Sequence, residues 1–340
     1  MPEIAFEDLI PGTTTTFGGM PVTAEAISDF ARNYDAQPFH LSEDLAKGTF
    51  VGRQIASGWH TLALQMRMLA DEWLLRSTGM GSPGIDEVRW LKPVLPGDVL
   101  RVRQTILDAR PSASRPWMGV VRFRFETLND RDDVVMTQTN AILFGLRDGP
   151  PEPAPSRRPP QAPQDGGFAA LKPPSGGRPQ MIRPFEELEV GATDFLGEHR
   201  FERDDIVRFA RAFDPQPFHV DEEAAARSHF GRLAASGWQT AATWMRHLVR
   251  LRSEASDEAR AAGHELPRFG PSPGFTDLRW LRPVHAGDTI RFATTLVSKR
   301  PSGTRPGWGL TFSHNTGWNG EGEKVFEFSG GGFVGMRARA

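Results

Sequence analysis

The stretch WHTLALQMRMLADEWLL at positions 59–75 is the longest apolar run in the chain. Its apolar side chains fall on most faces of a helix, which is typical of a buried helix and not of a surface helix. Gly58 precedes the run and Gly79 follows it. We therefore expect a central helix of roughly 20 residues, or about 30 Å.

Segments with the alternation of β-strands flank this helix. A short strand at 13–17 and a helix at 23–33 come before it, and four strands follow it at 85–92, 99–108, 118–128 and 134–146. Pro-, Gly- and Asp-containing turns separate the later strands. One buried helix with four or five antiparallel strands predicts a sheet curled around the helix, the α+β arrangement called the hot-dog fold.

The same pattern occurs twice. Residues 34–59 and 213–238 are identical at 13 of 26 positions, at an offset of 179. Farther along, 82–98 aligns with 272–288 at an offset of 190. The second copy has thus gained eleven residues near ASDEARAAGHELPR (255–268), which predicts a longer loop or a helix extension.

The repeats define the domain organisation. Residues 149–180 are rich in Pro and Gly and poor in apolar side chains, which predicts a semi-extended linker, attached where FAAL (168–171) offers apolar surface. Hot-dog domains are expected at 1–148 and 181–340. Two fused copies predict an intramolecular pseudo-dimer, which could itself dimerise.

Composition excludes several classes of function. The 340 residues are 39% hydrophobic and 24% charged, with a net charge of −2, so a broad nucleic-acid or membrane surface is not expected. No apolar run reaches the length of a membrane span. The absence of cysteine excludes disulfides and thiolate chemistry. Without a signal-peptide pattern at the N-terminus, a cytoplasmic location is the default expectation.

An acid and an imidazole lie five residues apart in each repeat, as Asp35 with His40 and Asp214 with His219. An Asp and a neutral His that converge on one water can orient it and accept its proton, which makes these four residues candidate catalytic groups. Alternatively, the Asp caps a turn and the His joins a polar network. A proline between each pair predicts a non-helical loop.

Ser57-Gly58 and Ser236-Gly237 stand at the start of the two central helices. Glycine there lets a ligand approach the N–H groups at the positive end of the helix dipole, where a thioester oxygen would be stabilised. The alternative is a Ser N-cap followed by a glycine required for close packing.

For the remaining candidate residues, the sequence gives less support for a role in the site. Arg53 and Arg232 could meet a phosphate of the substrate, although a structural ion pair is the favoured interpretation. Trp59 and Trp238 are expected in the core, where they could also line an acyl pocket. The scattered histidines lack the spacing of metal ligands, so no metal site is predicted.

The segments D-A-Q-P-F-H…F-V-G-R-Q-I-A-S-G and D-P-Q-P-F-H…F-G-R-L-A-A-S-G resemble the hydratase signature of the MaoC-like family, which includes (R)-specific enoyl-CoA hydratases. The resemblance covers nearly all of both repeats. It implies a hot-dog fold, thioester substrates of CoA or an acyl carrier, and no redox cofactor. It also implies that each Asp/His pair activates water while the Gly58 and Gly237 amides polarise the thioester carbonyl.

The sequence departs from the family pattern in ways that affect the expected pocket. Gln37 and Gln216 replace the usual Asn, and Ser57 and Ser236 replace the usual His. Both pairs of catalytic candidates are kept, so we expect two working sites per chain, with one inactive half as the alternative. The function expected is hydration of enoyl thioesters or dehydration of 3-hydroxyacyl thioesters. A non-catalytic acyl-thioester binding protein and a hot-dog thioesterase are the alternatives.

Overall fold

The computed structural model of the chain describes residues 3–149 and 167–337. Ten strands run through the two halves. Those of the first half are β1 (Thr14–Pro21), β2 (Gly84–Trp90), β3 (Val99–Pro111), β4 (Met118–Leu128) and β5 (Val134–Gly145). Those of the second half are β6 (Thr193–Arg200), β7 (Gly274–Trp280), β8 (Thr289–Pro301), β9 (Trp308–Trp318) and β10 (Lys324–Gly335).

The helices repeat in the same way. The first half contains α1 (Ala24–Tyr34), α2 (Pro38–Leu41), α3 (Glu43–Lys47) and the central helix α4 (Gly58–Glu72). The second half contains α5 (Arg203–Phe213), α6 (Pro217–Val220), α7 (Glu222–Arg227) and the central helix α8 (Gly237–Ala261).

All ten strands form one antiparallel sheet in the order β1-β3-β4-β5-β2-β7-β10-β9-β8-β6. The two halves meet where β2 pairs with β7, with Ile85 opposite Leu278 and Val88 opposite Phe275. The order is symmetric about this junction, so the halves are related by a pseudo-twofold arrangement. The predicted tandem hot-dog fold is confirmed.

The sheet lies close against the central helices. In β1, Gly18 sits at a bulge with φ of 98°, and a Cβ there would approach the Met68 Sδ to 2.5 Å. Only glycine meets both the backbone and the space requirement at this position. In β4, Phe123 and Phe125 are completely buried against the core. The helix α4 is therefore enclosed, as its apolar composition predicts.

The lengths of the central helices differ from the prediction and from each other. Helix α4 has 15 residues, since Trp73 leaves helical geometry and a 3₁₀ turn follows. Helix α8 has 25 residues, because part of the eleven-residue gain lengthens the helix. The extension packs Ala255 and Ala259 against Ile182.

Two other expectations need comment. Residues 150–166 of the predicted linker lie outside the described residues. Its final part, 167–180, packs on the second half, where the Phe168 ring lies 5.1 Å from that of Phe195. The predicted non-helical loops between Asp and His are wrong: Pro38 and Pro217 each begin one helical turn. Proline suits that first position because its missing N–H is not needed there.

Candidate active site

The two candidate catalytic residues of the first half are brought together by short helices. Asp35 directly follows α1 as its C-cap residue, and His40 lies in the single turn of α2. Both side chains are buried, with 3% and 4% exposure. The His40 Nε2 lies 3.4 Å from the Asp35 Oδ2, so the predicted pair is spatially adjacent.

Neighbouring polar groups fix the orientation of Asp35. The Gln37 Nε2 donates a hydrogen bond of 2.8 Å to the Asp35 Oδ1. The Ser57 Oγ donates one of 2.6 Å to the Asp35 Oδ2 and accepts the Trp59 N–H as the N-cap of α4. The two residues that depart from the family pattern, Gln37 and Ser57, therefore hold the carboxylate in place.

The tautomer of His40 follows from its backbone contact. The His40 Nδ1 lies 2.8 Å from the carbonyl oxygen of Ile55. A carbonyl oxygen only accepts, so Nδ1 carries the hydrogen and Nε2 of the neutral ring is an acceptor. The Asp35 Oδ2 and the His40 Nε2 thus present two acceptors side by side, which suits the two hydrogens of one water molecule.

The protonation state of Asp35 fits the role of a base. Burial acts to raise the pKa of its carboxyl group, but the charge and hydrogen bond of the His40 ring in its protonated form, together with the hydrogen bonds from Ser57 and Gln37, outweigh burial and lower the pKa. The carboxylate form therefore persists at neutral pH.

The second half repeats this geometry. The His219 Nε2 lies 3.5 Å from the Asp214 Oδ2, and the His219 Nδ1 lies 2.7 Å from the Ala234 carbonyl oxygen. The Ser236 Oγ donates to the Asp214 Oδ2 at 2.6 Å, and Gln216 donates to the Asp214 Oδ1 at 2.8 Å. By local geometry alone the two pairs are equivalent.

A large cavity distinguishes the two pairs. Its volume is about 800 Å³, and its lining includes Asp35, His40 and Gly58 but none of Asp214, His219 and Gly237. From the first pair it extends between α8 and the inner face of β8, β9 and β10. We call this space the acyl chamber, after the acyl pocket that the sequence leads us to expect. The catalytic candidates of the first half therefore open onto a chamber built mainly by the second half.

Comparison with known proteins decides the family. The family described as MaoC like domain matches the chain twice, at residues 8–118 and 187–307, which together span well over half of it. The chain belongs to the MaoC-like domain family. The MaoC-like chain is 30% identical over 142 residues to YdeM of Bacillus subtilis, an uncharacterized protein, a match that covers 42% of the chain and 92% of YdeM.

A second relative has a named activity. The mesaconyl-CoA hydratase of Cereibacter sphaeroides is 36% identical over 74 residues, which cover 22% of the MaoC-like chain and 21% of that enzyme. The chain thus spans about a fifth of the length of this relative.

Solved structures show the same double fold. A MaoC domain protein from Chloroflexus aurantiacus superposes with a TM-score of 0.76 at 17% identity, over 99% of both chains. A conserved protein from Mycobacterium tuberculosis with a double hotdog fold gives a TM-score of 0.69 at 14% identity, covering 97% of the MaoC-like chain and 98% of its own.

The glycines at the start of the central helices have a packing role that the sequence left as an alternative. A Cβ at Gly58 would lie 2.3 Å from the ring of Trp90, and one at Gly237 would lie 2.3 Å from the ring of Trp280. Gly58 borders the acyl chamber, and its amide N–H makes no hydrogen bond to another described residue. Gly58 is therefore packed closely against Trp90, and its amide N–H still has no hydrogen-bond partner among the described residues.

This packing yields a stability prediction for the MaoC-like chain. Gly58→Ala is expected to lower the free energy of unfolding by about 1–3 kcal/mol, because the new methyl group overlaps the Trp90 ring. The midpoint of urea unfolding measures the effect. As a control, Gly48→Ala has nothing within 4 Å of the added Cβ. Equal midpoints for both variants would contradict the packing role.

Of the remaining predicted site residues, one lines the chamber and three lie outside its lining. Trp59 lines the chamber and stacks on Phe275 at 5.1 Å, whereas Trp238 packs on Trp280 outside it. Arg232 lies 3.5 Å from Asp288, in the ion pair favoured from the sequence. Arg53 is exposed outside the chamber lining and has no ion pair with a described residue.

Sequence reasoning missed the walls of the chamber. At the repeat offset of 190, Phe123, Phe125 and Ile142 of the first half correspond to small or polar residues of the second. These counterparts are Ser313, Asn315 and Gly332, and all three line the chamber. The strand registers agree, since Phe123 pairs with Asn140 and Ser313 with Gly330. A comparison of inward-facing positions between the repeats could have revealed the asymmetry.

The equivalent space in the first half is filled. Phe123 lies 5.7 Å from the ring of Trp73, which also packs against Phe144 at 5.8 Å. Closer to the junction, the buried Gln65 donates to Gln138 and accepts from Thr127, each at 2.8 Å. The presence of the chamber in the second half follows from these differences in side-chain volume.

Proposed function

We propose that this protein hydrates enoyl thioesters of CoA or dehydrates the corresponding 3-hydroxyacyl thioesters. The observation that carries the proposal is the pair of acceptors, Asp35 Oδ2 and His40 Nε2, at one end of a chamber large enough for an acyl group. The named activity of the mesaconyl-CoA hydratase relative supports a CoA thioester as substrate.

In the proposed reaction, water lies between Asp35 and His40. As Asp35 accepts one proton, the water oxygen bonds to C3 of the enoyl group and the electrons of the C2–C3 double bond move toward the thioester oxygen. The Gly58 amide, at the positive end of α4, stabilises that oxygen. The proton then passes to C2, so one water is added and the catalytic groups return to their starting state. Water and the thioester are the only reactants.

We further propose one working site per chain, in place of the two expected from the sequence. The first half supplies the catalytic groups and the second half supplies the acyl chamber. The Asp214–His219 pair keeps its geometry, but it lies outside the chamber lining. Its hydrogen bonds to Ser236 and Gln216 then serve to hold the start of α8.

An absorbance assay with crotonyl-CoA and longer enoyl-CoAs, run alongside a thiol reagent, tests the reaction. We expect loss of enoyl absorbance without release of free CoA. Thiol release at the rate of absorbance loss would indicate a thioesterase. CoA-ester binding without turnover of any member of the panel would indicate a binding protein, and either result would overturn the proposal.

A further inference from the structure

The acyl chamber contains a half-buried cation that the proposed hydration does not use. Arg252 lies on α8 and lines the chamber. Its Nε is shielded from solvent and has no hydrogen-bond partner among the described residues. The guanidinium also makes no ion pair with a described residue, and its contact is with the face of the Phe269 ring, at 4.5 Å.

Among the described residues, no other charged group of the chamber forms an ion pair with Arg252. Asp194 also lines the chamber, but its carboxylate accepts the backbone N–H groups of Gln180 and Met181 at 2.7 and 2.9 Å. Lys92 is paired with Asp133 at 2.7 Å, and Arg183 is paired with Glu189. Arg305 is exposed and stacks on Phe333 at 4.9 Å.

The surroundings favour an anionic ligand. Burial lowers the pKa of Arg252, while the charges of Asp35 and Asp194 act in the opposite direction. The shielded Nε–H of Arg252 has lost its hydration, and no described group replaces it. A carboxylate is the planar anion that its fork of N–H donors fits best.

The position of Arg252 fits one end of an acyl group. Trp244 of α8 contacts Trp59, next to Gly58, with ring centroids 6.5 Å apart. Arg252 lies two turns farther along α8, about 12 Å at 1.5 Å per residue. Helical side chains tilt toward the N-terminus, so the guanidinium reaches part of the way back. The chamber wall also carries the polar groups of Ser313 and of Thr294, which donates to Asn315 at 2.7 Å.

In the first half, the position equivalent to Arg252 is occupied by a large apolar side chain. At the offset of 179, Arg252 corresponds to Trp73, whose ring packs against Phe123 and Phe144. The second half thus has a cation where the first has an apolar plug, together with Ser313 where the first has Phe123.

We propose that Arg252 binds a carboxylate at the end of the acyl group, so that the substrates are CoA thioesters of unsaturated dicarboxylic acids. The inference rests on the proposed hydratase function and narrows its substrate class.

Matched substrate pairs test the preference. Fumaryl-CoA and crotonyl-CoA differ by a carboxylate in place of a methyl group, as do 2-hexenedioyl-CoA and 2-hexenoyl-CoA. For at least one pair we expect kcat/KM to be about 10- to 100-fold higher for the carboxylate, as for hydrogen bonds to a charged group. Hydration of the neutral members with no preference for either carboxylate would overturn this inference and leave the hydratase proposal intact.

Variants of Arg252 assign the preference to this residue. In Arg252→Met the ratio of kcat/KM between the two members of the preferred pair should fall about 10- to 100-fold, and Arg252→Lys, which keeps the charge, should restore part of it. Arg260→Met is the control, because Arg260 lies on the same helix, is exposed and pairs with Asp257 at 2.7 Å. An unchanged ratio in Arg252→Met would overturn the assignment, as would an equal fall in Arg260→Met.

Binding of saturated analogues separates this inference from catalysis. Isothermal titration should show tighter binding of succinyl-CoA or adipyl-CoA than of butyryl-CoA or hexanoyl-CoA to the wild-type chain, and loss of this difference in Arg252→Met. If the chain shows this binding preference but hydrates none of the enoyl-CoAs, the carboxylate site at Arg252 is supported and the proposed hydratase function is refuted. Equal affinities within both pairs would refute the carboxylate site. If Arg252→Met does not fold, the test rests on two measurements: the preference of the wild-type chain within each pair of analogues, and the change of that preference in Arg252→Lys.

Discussion

Asp35→Asn is expected to lower kcat for hydration by about 100- to 10,000-fold, the usual contribution of a positioned general base. Asparagine keeps the shape of the side chain but presents no carboxylate to take the proton of the water. Asp214→Asn should leave kcat close to that of the wild type, because Asp214 lies outside the lining of the acyl chamber. Steady-state rates with the best enoyl-CoA measure both effects.

The two Asp variants control for each other. Each loses a carboxylate that accepts a Ser hydrogen bond of 2.6 Å and a Gln hydrogen bond of 2.8 Å. Structural damage should therefore be similar in the two, as urea unfolding can verify. If each variant halves the rate and the double variant abolishes it, the chain has two working sites. If Asp214→Asn alone abolishes the rate, the working site has been assigned to the wrong half.

Ser313→Phe is expected to lower kcat/KM by about 100-fold or more without destabilising the chain. The change reproduces Phe123 of the first half and places an aromatic ring in the acyl chamber, where added volume meets empty space instead of packed atoms. The substrate then loses the volume that its acyl group occupies. Hydration kinetics and the midpoint of urea unfolding measure the two quantities.

A second filled variant and a surface control strengthen this test. In Gly332→Ile, which copies Ile142, the added Cβ has nothing within 4 Å, so the side chain should also enter the chamber. Ser298→Phe places the same ring at an exposed position of β8 and should retain activity. Wild-type kinetics in both filled variants would show that the acyl group lies elsewhere.

The sequence alone was sufficient for the fold and for the catalytic candidates. A long run with apolar side chains on most faces of a helix predicts a buried helix, and period-two segments after it predict the strands that enclose it. Repetition of the Asp-to-His segment drew attention to Asp35, His40, Asp214 and His219. The rule that proline excludes helix gave a wrong prediction at Pro38, because proline is tolerated in the first turn of a helix, where its missing N–H is not needed.

The choice between the two halves needed the tertiary structure. Asp35 and Asp214 stand in the same Asp-x-Gln-Pro-Phe-His pattern and accept equivalent hydrogen bonds, so this local pattern does not distinguish them. The two sites differ instead at equivalent strand positions far from the Asp/His pairs in sequence. In the first half Phe123 fills the space, whereas in the second half Ser313, about 100 residues after Asp214, leaves it open. A cavity is the volume left between side chains from several elements, and only the packed chain determines it. The sequence therefore determined what could react, and the tertiary structure decided where an acyl group has room.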